Sequence, residues 1–501
     1  MRKCLTMIFA VMAAFEVQAQ DSLSVNERTI LHFDHLAAAG NASAMRFAPS
    51  YGLLSPYASF SSASASFDFR QESKAVVPED GDGLRQGRFD AGTFLRLKGG
   101  SAVSGAVCYR RAVKNNVLLN ETADFELLQP YVLVDTVGGN LQNESYSFRG
   151  EWMRRAGNAV YSLGGSYRAV HEYRSFDPRP RNISSDFKAG ASLGLVLPGG
   201  SLIGFASYRR YNQDQNVTFV SNKGANTTLF HATGLGQDYW RFRSTGIFAA
   251  TRYAGRGFSA GVVGSAARGS LTGGISYEWL SVTRYLSNQN DAPLTSLATG
   301  RLSAFAAWKP SGTAALEAKV NHERRDGVEN VIDCAASGVY RNLLSIGMYS
   351  RDRLSASLSA VLQLARDYGF WQILPAIAYS GVSEAYLYPE SNMSATSVDA
   401  KCGAGFCTVR KAWVYNVQAY VGYCTFPESV SSLQCMDSRI LRVCADKYAF
   451  QSSDFAHFSM QAMIQRELGR QFAIFSRLYT SAALRAQEVA ACISLSIGIS
   501  Y

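Results

Sequence analysis

The chain has 501 residues, of which 18% are charged and 12% aromatic, with 43 glycines against 12 prolines. This composition is too apolar and too rich in aromatic residues for a disordered chain. Beyond the first twenty residues the sequence has no apolar run of about 18 residues, which excludes membrane-spanning helices. The net charge of +10 is spread along the chain without a basic cluster or a recognition helix, so no nucleic-acid partner is expected.

The N-terminus has the pattern of a secretory signal. Arg2 and Lys3 precede an apolar stretch over residues 5–15, and Val17-Gln18-Ala19 supplies small residues at the positions that a signal peptidase reads. We therefore predict a cleaved signal peptide over residues 1–19 and an exported mature chain. No cysteine follows the cleavage point, so a lipoprotein is not expected.

Residues 20–55 form a separate predicted segment ahead of the first strand. Ser24-Val25-Asn26-Glu27 resembles a capping box, and Gly40 is suited to end a short helix. We predict that this segment is a periplasmic tether or a plug, and it is too short for the plug domain of a TonB-dependent receptor. Residues 56–501 are predicted to form the main domain.

The last residues of the chain alternate strictly between two faces, as a β-strand requires. One face is apolar and ends on Tyr501, and the other is small or polar. A last strand that stops on an aromatic residue is typical of outer-membrane barrels, whose assembly machinery reads that end. The apolar face consists of Val489, Ala491, Ile493, Leu495, Ile497, Ile499 and Tyr501.

The same alternation recurs upstream and indicates an all-β fold. Residues 354–364 place leucine and alanine opposite serine, and residues 471–479 place Arg477 opposite an apolar face. A polar face that repeats around a closed sheet faces water inside a barrel, while the apolar face contacts lipid. We therefore predict a closed antiparallel transmembrane β-barrel of about 18–20 strands in the outer membrane of a Gram-negative cell.

Whether a residue number is odd or even within a strand, its parity, also indicates which side chains face the lumen. Trp240, Phe242 and Phe248 share one parity, which predicts a strand whose arginines face the other way. Arginines in the lumen would favour anionic groups. The predicted lumen-facing residues are Arg241, Arg243, Arg477, His457 and Ser459.

Short breaks separate the alternating segments and predict tight hairpins, with long polar loops at the opposite rim. Residues 258–285 and 354–388 are each compatible with one long strand or with two. The predicted hairpins are at Gly99-Gly100, Gly157-Asn158, Gly199-Gly200, Gly255-Arg256, Ser311-Gly312 and Leu468-Gly469. The predicted loops cover residues 115–143, 175–183, 213–237, 285–293, 323–331, 387–396 and 425–447.

No catalytic, cofactor or metal site is expected. His457 and Ser459 share a face, but a hydrolase also needs an orienting acid and an oxyanion hole, and Asp454 has the opposite parity. His32 and His35 could bind a metal from one helix face, although an ordinary polar face has the same pattern. We expect that the protein is not an enzyme.

Nine cysteines are present, and eight remain once Cys4 leaves with the signal peptide. An even number in an exported chain permits disulfides, and a loop pair of Cys435 with Cys444 is one candidate. The alternative is that the cysteines are small strand or loop residues that stay reduced. The spacing of Cys402 and Cys407 is not that of a zinc site.

Four motifs mark loops and rims of the predicted barrel. They are Leu31-His32-Phe33-Asp34, the stretch from Tyr131 to Asn140, Asp177-Pro178-Arg179-Pro180-Arg181-Asn182 and Tyr208-Arg209-Arg210-Tyr211. Together they resemble an uncharacterised family of outer-membrane β-barrels from Bacteroidota that is known as a domain of unknown function. The chain departs from it at Ala38-Ala39-Gly40-Asn41, where an Asn-Pro-Ala-Gly-like element is expected. The resemblance implies the fold, the location and work beside a TonB-dependent uptake system, but no substrate.

Two functions are compatible with these features. The first is a channel or solute-uptake component, because a barrel of this size holds water unless something fills it. The alternative is a non-conducting structural scaffold whose long loops bind a surface lipoprotein or a receptor. An interior filled by bulky side chains or by the N-terminal segment would indicate the scaffold. The expected partners are outer-membrane lipid, the barrel assembly machinery, and a TonB-dependent receptor or surface lipoprotein.

Overall fold

The computed structural model describes residues 23–220, 229–243, 248–266, 270–287, 291–333, 341–434 and 437–501. The predicted signal peptide and Cys435 lie outside these residues. Signal cleavage and the pairing of Cys435 with Cys444 therefore stay predictions.

Eighteen antiparallel strands form a closed barrel in which each strand pairs with its neighbours in the chain. The first and last strands also pair, with Phe67 opposite Leu495, and this seam closes the sheet. The predicted closed antiparallel barrel is confirmed. The strands are β1 Phe60–Glu72, β2 Gly83–Leu97, β3 Ser101–Val117, β4 Gly139–Ala156, β5 Ala159–Tyr173, β6 Arg179–Leu197, β7 Gly200–Thr218, β8 Ala250–Ala266, β9 Leu271–Leu286, β10 Ala292–Ser311, β11 Ala314–Ile332, β12 Asn342–Arg366, β13 Gly369–Tyr386, β14 Ser391–Arg410, β15 Trp413–Ser432, β16 Phe455–Gly469, β17 Phe472–Arg485 and β18 Glu488–Ser500.

Alternation places an apolar face outside the barrel and a polar face inside it. Phe67 and Ile497 are 57% and 63% exposed on the outside of the seam. On the inside, Ser66 donates a hydrogen bond of 2.9 Å to Ser496. Because lipid offers no hydrogen-bond partners, a sheet that crosses it must pair every strand and cover its outer face with apolar side chains. The protein is an outer-membrane, multi-pass β-barrel.

Tight turns lie at one end of the barrel, which by the usual asymmetry is periplasmic, and most of the long loops lie at the other. The hairpin predicted at Leu468-Gly469 lies slightly later, between β16 and β17. Residues 258–285 and 354–388 each contribute to two strands. The hairpins confirmed at their predicted places are those at Gly99-Gly100, Gly157-Asn158, Gly199-Gly200 and Ser311-Gly312.

The hairpin predicted at Gly255-Arg256 is wrong, because both residues lie inside β8. A side chain at Gly255 would place its Cβ 3.1 Å from Cβ of Tyr211 and 3.1 Å from Cγ2 of Val282. The glycine therefore permits close packing inside the barrel, and it does not mark a turn.

The loop predicted over residues 323–331 is also wrong, because these residues belong to β11. Their charged side chains are paired on the strand instead of being solvated in a loop. Glu323 accepts from Arg301 of β10, and Arg325 Nε lies 3.0 Å from Glu323 Oε1. A polar run on a strand that lines a wide lumen resembles a loop when only polarity is considered.

The N-terminal residues form a compact segment of short helices, which we call the plug. Its elements are α1 Val25–Phe33, α2 His35–Ala38, α3 Asn41–Phe47 and a 3-10 helix over Pro49–Leu53. The predicted capping box is present, since Ser24 Oγ accepts from Glu27 N and Glu27 accepts from Ser24 N. No helix in the described ranges is long and apolar enough to span a membrane.

The plug lies inside the barrel at the end with the short turns. Thr29 donates to Gln465 of β16 over 3.2 Å, and Ser43 donates to Glu317 of β11 over 2.6 Å. Arg96 of β2 donates to the carbonyl groups of the chain that follows α3, including that of Ser55 at 2.7 Å. One short segment can contact strands on several sides of a barrel only from within. We use the word plug for this position, and the choice between a tether and a plug stays a prediction.

Long loops fold into the opposite end of the barrel. The described parts of three of them, residues 118–138, 229–243 and 437–454, form what we call the lid. Two of these loops meet in a small sheet of the strands Leu133–Val134, Phe230–Gly234 and Gln237–Asp238, and the lid also contains α4 Phe125–Leu128 and α5 Ser438–Gln451. A buried apolar core joins the lid to the barrel wall, and it consists of Leu119, Phe125, Leu128, Val132, Val134, Tyr211, Phe230, Tyr253, Leu280, Val282 and Ile440.

The seam between β1 and β18 generates a prediction about assembly. Tyr501 N donates to Ser61 O over 2.9 Å, and its ring lies 6.0 Å from that of Phe472. Replacing Tyr501 with serine should slow assembly, because it removes the aromatic residue that ends the lipid face. The folded fraction in outer-membrane preparations, measured by heat-dependent gel mobility, should fall severalfold. Tyr501→Phe is the matched control and should assemble normally. Normal levels of the Tyr501→Ser protein would contradict this role.

Candidate functional site: a cation-rich central chamber

A cavity of about 580 Å³ lies in the middle of the barrel, above the plug. Ser43, Arg46 and Phe47 of the plug form part of its lining, and the rest comes from inward-facing side chains of β4 to β11. An adjoining cavity of about 530 Å³ continues toward the lid, where Arg168 and Asp186 line it. We call the first cavity the central chamber.

Positive charge dominates the lining of the central chamber. Five cationic side chains and two carboxylates line it. The cations are Arg46, Arg149, Lys188, Arg301 and Lys319, and the carboxylates are Glu151 and Glu278.

Ion pairs neutralise only some of these cations. Lys319 lies 3.0 Å from Glu317, and Arg301 pairs with Glu323. Lys188 lies 3.9 Å from Glu278, which Arg209 also contacts. Within the described part of the chain, Arg46 and Arg149 form no ion pair. The chamber therefore retains positive charge in a space with low-dielectric walls, where electrostatic fields are stronger than in bulk water.

Strand register brings the wall cations of the chamber together. Arg149 of β4 is opposite Ser166 of β5, and Ser166 is opposite Lys188 of β6. The two cations therefore lie at one level of the barrel, separated by a small hydroxyl side chain. Phe148 is 50% exposed on the outside of β4, and the two-residue period consequently points Arg149 inward.

A chain of ion pairs connects the lid to the chamber wall. Arg168 of β5 donates two hydrogen bonds to Asp124 of the lid, at 2.7 and 2.9 Å. Arg168 also lies 3.9 Å from Asp186, which accepts two hydrogen bonds from Arg209 at 2.9 and 2.8 Å. Arg209 donates in turn to Glu278 of the chamber over 3.1 Å. A charge that enters the chamber therefore meets a network that reaches the lid.

Asp124 holds the lid at the end of this network. It accepts hydrogen bonds of 3.0 Å from Ser184 and from Tyr211, in addition to those from Arg168. Burial alone would raise the pKa of Asp124, but the hydrogen bonds and charge of Arg168 lower it below the usual value. The carboxylate is therefore ionised at neutral pH.

Arg241 and Arg243 are not on a strand, so their predicted position on a lumen-facing strand is wrong. They belong to the lid, at a 3-10 turn over Trp240–Phe242. Arg243 lies 2.7 Å from Asp238, and Arg241 donates to the carbonyl oxygen of Asp333 over 3.1 Å. The apolar parity that suggested a strand has another cause, because Phe242 and Phe248 pack into a cluster of the lid and wall instead of against lipid.

The other predicted lumen residues lie on inward faces of strands but away from the central chamber. The guanidinium of Arg477 lies 5.9 Å from the ring of Phe33, so the plug covers it. His457 Nε2 lies 2.7 Å from Oδ1 of Asp399 on β14. Ser459 lies opposite Ser481 of β17. The acid that contacts His457 lies two strands away, across β15, which local spacing in the sequence could not indicate.

The two histidines of the plug have separate contacts. The ring of His32 stacks on Phe60 at 5.5 Å, and His35 Nε2 lies 2.9 Å from Gln418 Nε2. Burial lowers the pKa of both histidines. Among the described residues, no group of three side chains is arranged to hold a metal ion.

The cysteines whose spacing was compared with that of a zinc site are strand residues, whereas Cys444 lies on α5. Cys402 and Cys407 lie on β14, and Cys424 lies on β15. All three carry free thiols. Cys108 of β3 and Cys492 of β18 also carry free thiols.

Sequence reasoning selected none of the five chamber cations. The sequence does contain a signal for Arg149. Tyr146, Phe148 and Trp152 have even numbers and mark the outer face of β4, so Arg149, with an odd number, faces inward. The position of Arg46 had no such signal, since it depends on how the plug enters the barrel.

The lid anchor generates a prediction about pH. Asp124→Asn should loosen the lid by about 2 kcal/mol, the usual contribution of hydrogen bonds to a charged group. Because its folded pKa is lowered, ionised Asp124 stabilises the docked lid above the unfolded pKa of about 3.9, and this contribution is lost as pH falls through the folded value. Hydrogen exchange of residues 125–134, corrected for intrinsic rates, should therefore rise in the variant at neutral pH and in the wild type only in acid. Glu126→Gln is the matched control. Equal exchange in Asp124→Asn and wild type at neutral pH would refute the anchor.

Comparison with known proteins identifies a family. A model described as a family of unknown function (DUF6850) matches residues 50–501, which confirms the predicted resemblance to a domain of unknown function. The comparison with curated proteins returns no match. Among solved structures, the siderophore receptor PiuA from Acinetobacter baumannii is 9% identical with a TM-score of 0.40, over 88% of this chain and 82% of that chain. The outer membrane transporter YddB from Escherichia coli is 8% identical with a TM-score of 0.40, over 88% and 80%. Likeness at this level carries no argument about ligands.

Proposed function

The chain belongs to the DUF6850 family of unknown function, and on that premise we propose that it is a gated solute-uptake barrel that captures a small anionic solute in its central chamber. The observation that carries this proposal is the excess of cations that line the chamber. Arg149 and Lys188 are the residues we expect to contact the solute first, because both project from the wall at one level.

The filled ends of the barrel support gating over free diffusion. The plug occupies the end with short turns, and the lid occupies the other. Beside buried apolar packing, both are held by polar contacts, as in the hydrogen bond from Ser43 to Glu317 and the ion pair of Asp124 with Arg168. Such contacts can be exchanged for water, so a filled barrel of this kind can open without unfolding. We propose a binding role for the chamber and no catalytic step.

A scaffold remains the second candidate, and one observation favours it. The N-terminal segment occupies one end of the interior, and an interior filled by that segment is the feature expected of a non-conducting barrel. In that case the packed lid would present a rigid outer face to a surface lipoprotein or receptor, and the chamber cations would only balance the carboxylates around them.

Binding of an anionic probe separates the two functions. We expect the intact, refolded protein to bind citrate in preference to uncharged sucrose in isothermal titration. The citrate affinity should fall as ionic strength rises, because the attraction is electrostatic. Arg149→Gln combined with Lys188→Gln should weaken citrate binding by about tenfold or more, since each lost charged hydrogen bond contributes roughly 1.5 kcal/mol.

Arg154→Gln is the matched control for this titration. Arg154 lies on the same strand as Arg149, but it shares the outward parity of Trp152 and is exposed. Its replacement should leave citrate binding unchanged. Equal affinity of the wild type for citrate and sucrose, or equal loss in the control, would count against the anion chamber and favour the scaffold.

A further inference from the structure

A fully buried arginine lies where the lid meets the barrel wall. Arg284 of β9 is 1% exposed. It donates to the carbonyl oxygen of Val132 over 3.4 Å and to His231 Nδ1 over 2.9 Å, and both of these partners belong to the lid. Among the described residues Arg284 forms no ion pair. A guanidinium keeps its proton in a protein, so this positive charge is buried without a carboxylate, which is costly unless a counter-charge is present.

The histidine partner does not supply that charge. Burial and the neighbouring Arg284 lower the pKa of His231 well below its usual value, so the ring is neutral. Its Nδ1 accepts the hydrogen bond from Arg284 because an arginine has only donors to offer. The contact therefore fixes the lid strand to the wall. The guanidinium carbon of Arg284 also lies 5.6 Å from the centre of the Tyr253 ring, but neither contact supplies a negative charge.

Two residues with hydroxyl side chains flank Arg284 on the inner face of the sheet. Tyr253 of β8 lies directly opposite Arg284, and Thr295 of β10 lies directly opposite it on the other side. Residues paired in this way share a face, with Cβ atoms about 5 Å apart. Tyr253 and Thr295 are each 1% exposed.

Tyr253, Arg284 and Thr295 form a row across three strands. Each of them has a buried polar atom with no hydrogen-bond partner among the described residues. These atoms are Oη of Tyr253, Nε of Arg284 and Oγ1 of Thr295. All three groups can donate a hydrogen bond. Buried donors are nearly always paired in folded proteins, so three unpaired donors in one row indicate an acceptor.

The nearest carboxylate in the row is directed toward another strand. Glu329 of β11 lies opposite Thr295, but its two oxygens share one hydrogen bond from the hydroxyl of Tyr386, at 3.0 and 3.1 Å. Its contacts thus point along the wall toward β13, away from Arg284. The row from Tyr253 to Thr295 contains one positive charge, three donors and no anionic acceptor.

We propose that Tyr253, Arg284 and Thr295 bind one small monovalent anion, with chloride as the abundant member of that class. The anion balances Arg284 and accepts from the two hydroxyl groups. Because Arg284 also binds Val132 and His231, the bound anion stabilises the docked position of the lid. This site is separate from the central chamber and does not depend on what the chamber binds.

Bromide provides a direct test, since it replaces chloride and gives an anomalous X-ray signal. Crystals of the intact protein grown in bromide should show an anomalous peak in contact with Arg284 Nε and the two hydroxyl groups. In solution, the hydrogen exchange of residues 230–234 is compared in chloride and in gluconate at equal ionic strength. At a chloride concentration about ten times its dissociation constant, exchange should be about tenfold slower than in gluconate.

Two variants keep the test independent of folding. Thr295→Val retains the charge of Arg284 and should reduce the effect of chloride on exchange, whereas Arg284→Gln should abolish it. Thr299→Val, on the same face of β10, is the matched control and should respond to chloride like the wild type. Two results together would overturn the anion site. The first is density beside Arg284 Nε that is the same in halide-free and bromide crystals and has no anomalous signal, as expected of water. The second is hydrogen exchange in the wild type that does not depend on halide.

Discussion

The structure depends on one constraint, which is that lipid cannot satisfy a backbone hydrogen bond. Every strand must therefore pair on both sides, and a sheet that crosses the membrane must close on itself. The pairing of β1 with β18 meets this requirement, with Phe67 opposite Leu495 on the lipid side and Ser66 bonded to Ser496 on the lumen side. The strict alternation of the chain follows from it, because each strand meets lipid on one face and the lumen on the other.

Closure with eighteen strands creates a second requirement, since a barrel of this width has an interior that must hold water or protein. Here the chain supplies protein at both ends. The plug is bound by hydroxyl and amide groups of the wall, and the lid by ion pairs such as that of Asp124 with Arg168. What is left is a chamber with more cations than carboxylates. A polar interior therefore serves both to hold the plug and the lid and to define the site.

The barrel could be predicted from sequence because its signal is local. A two-residue period fixes which way a side chain faces, as it did for Leu495 and for Arg477. The same rule failed at Phe242, whose apolar partners belong to the barrel wall and the lid instead of lipid. A different rule, that glycine marks a turn, failed at Gly255, whose small size permits close packing inside the barrel. Parity reports the direction of a side chain and says nothing about what occupies the space in front of it. The chamber combines Arg46 with Arg149, and the lid anchor combines Asp124 with Arg168. Both depend on contacts between segments far apart in the chain.

The central claim is that the chain closes its own lumen. Ion conductance of the refolded protein in a planar bilayer tests this most directly, with a variant that lacks residues 23–55 measured beside it. We expect no steady current through the intact protein, and a steady, anion-preferring current once residues 23–55 are removed and Asp124→Asn also loosens the lid, because the cations of the barrel wall then face a path that is open at both ends. A steady current through the intact protein would contradict the account.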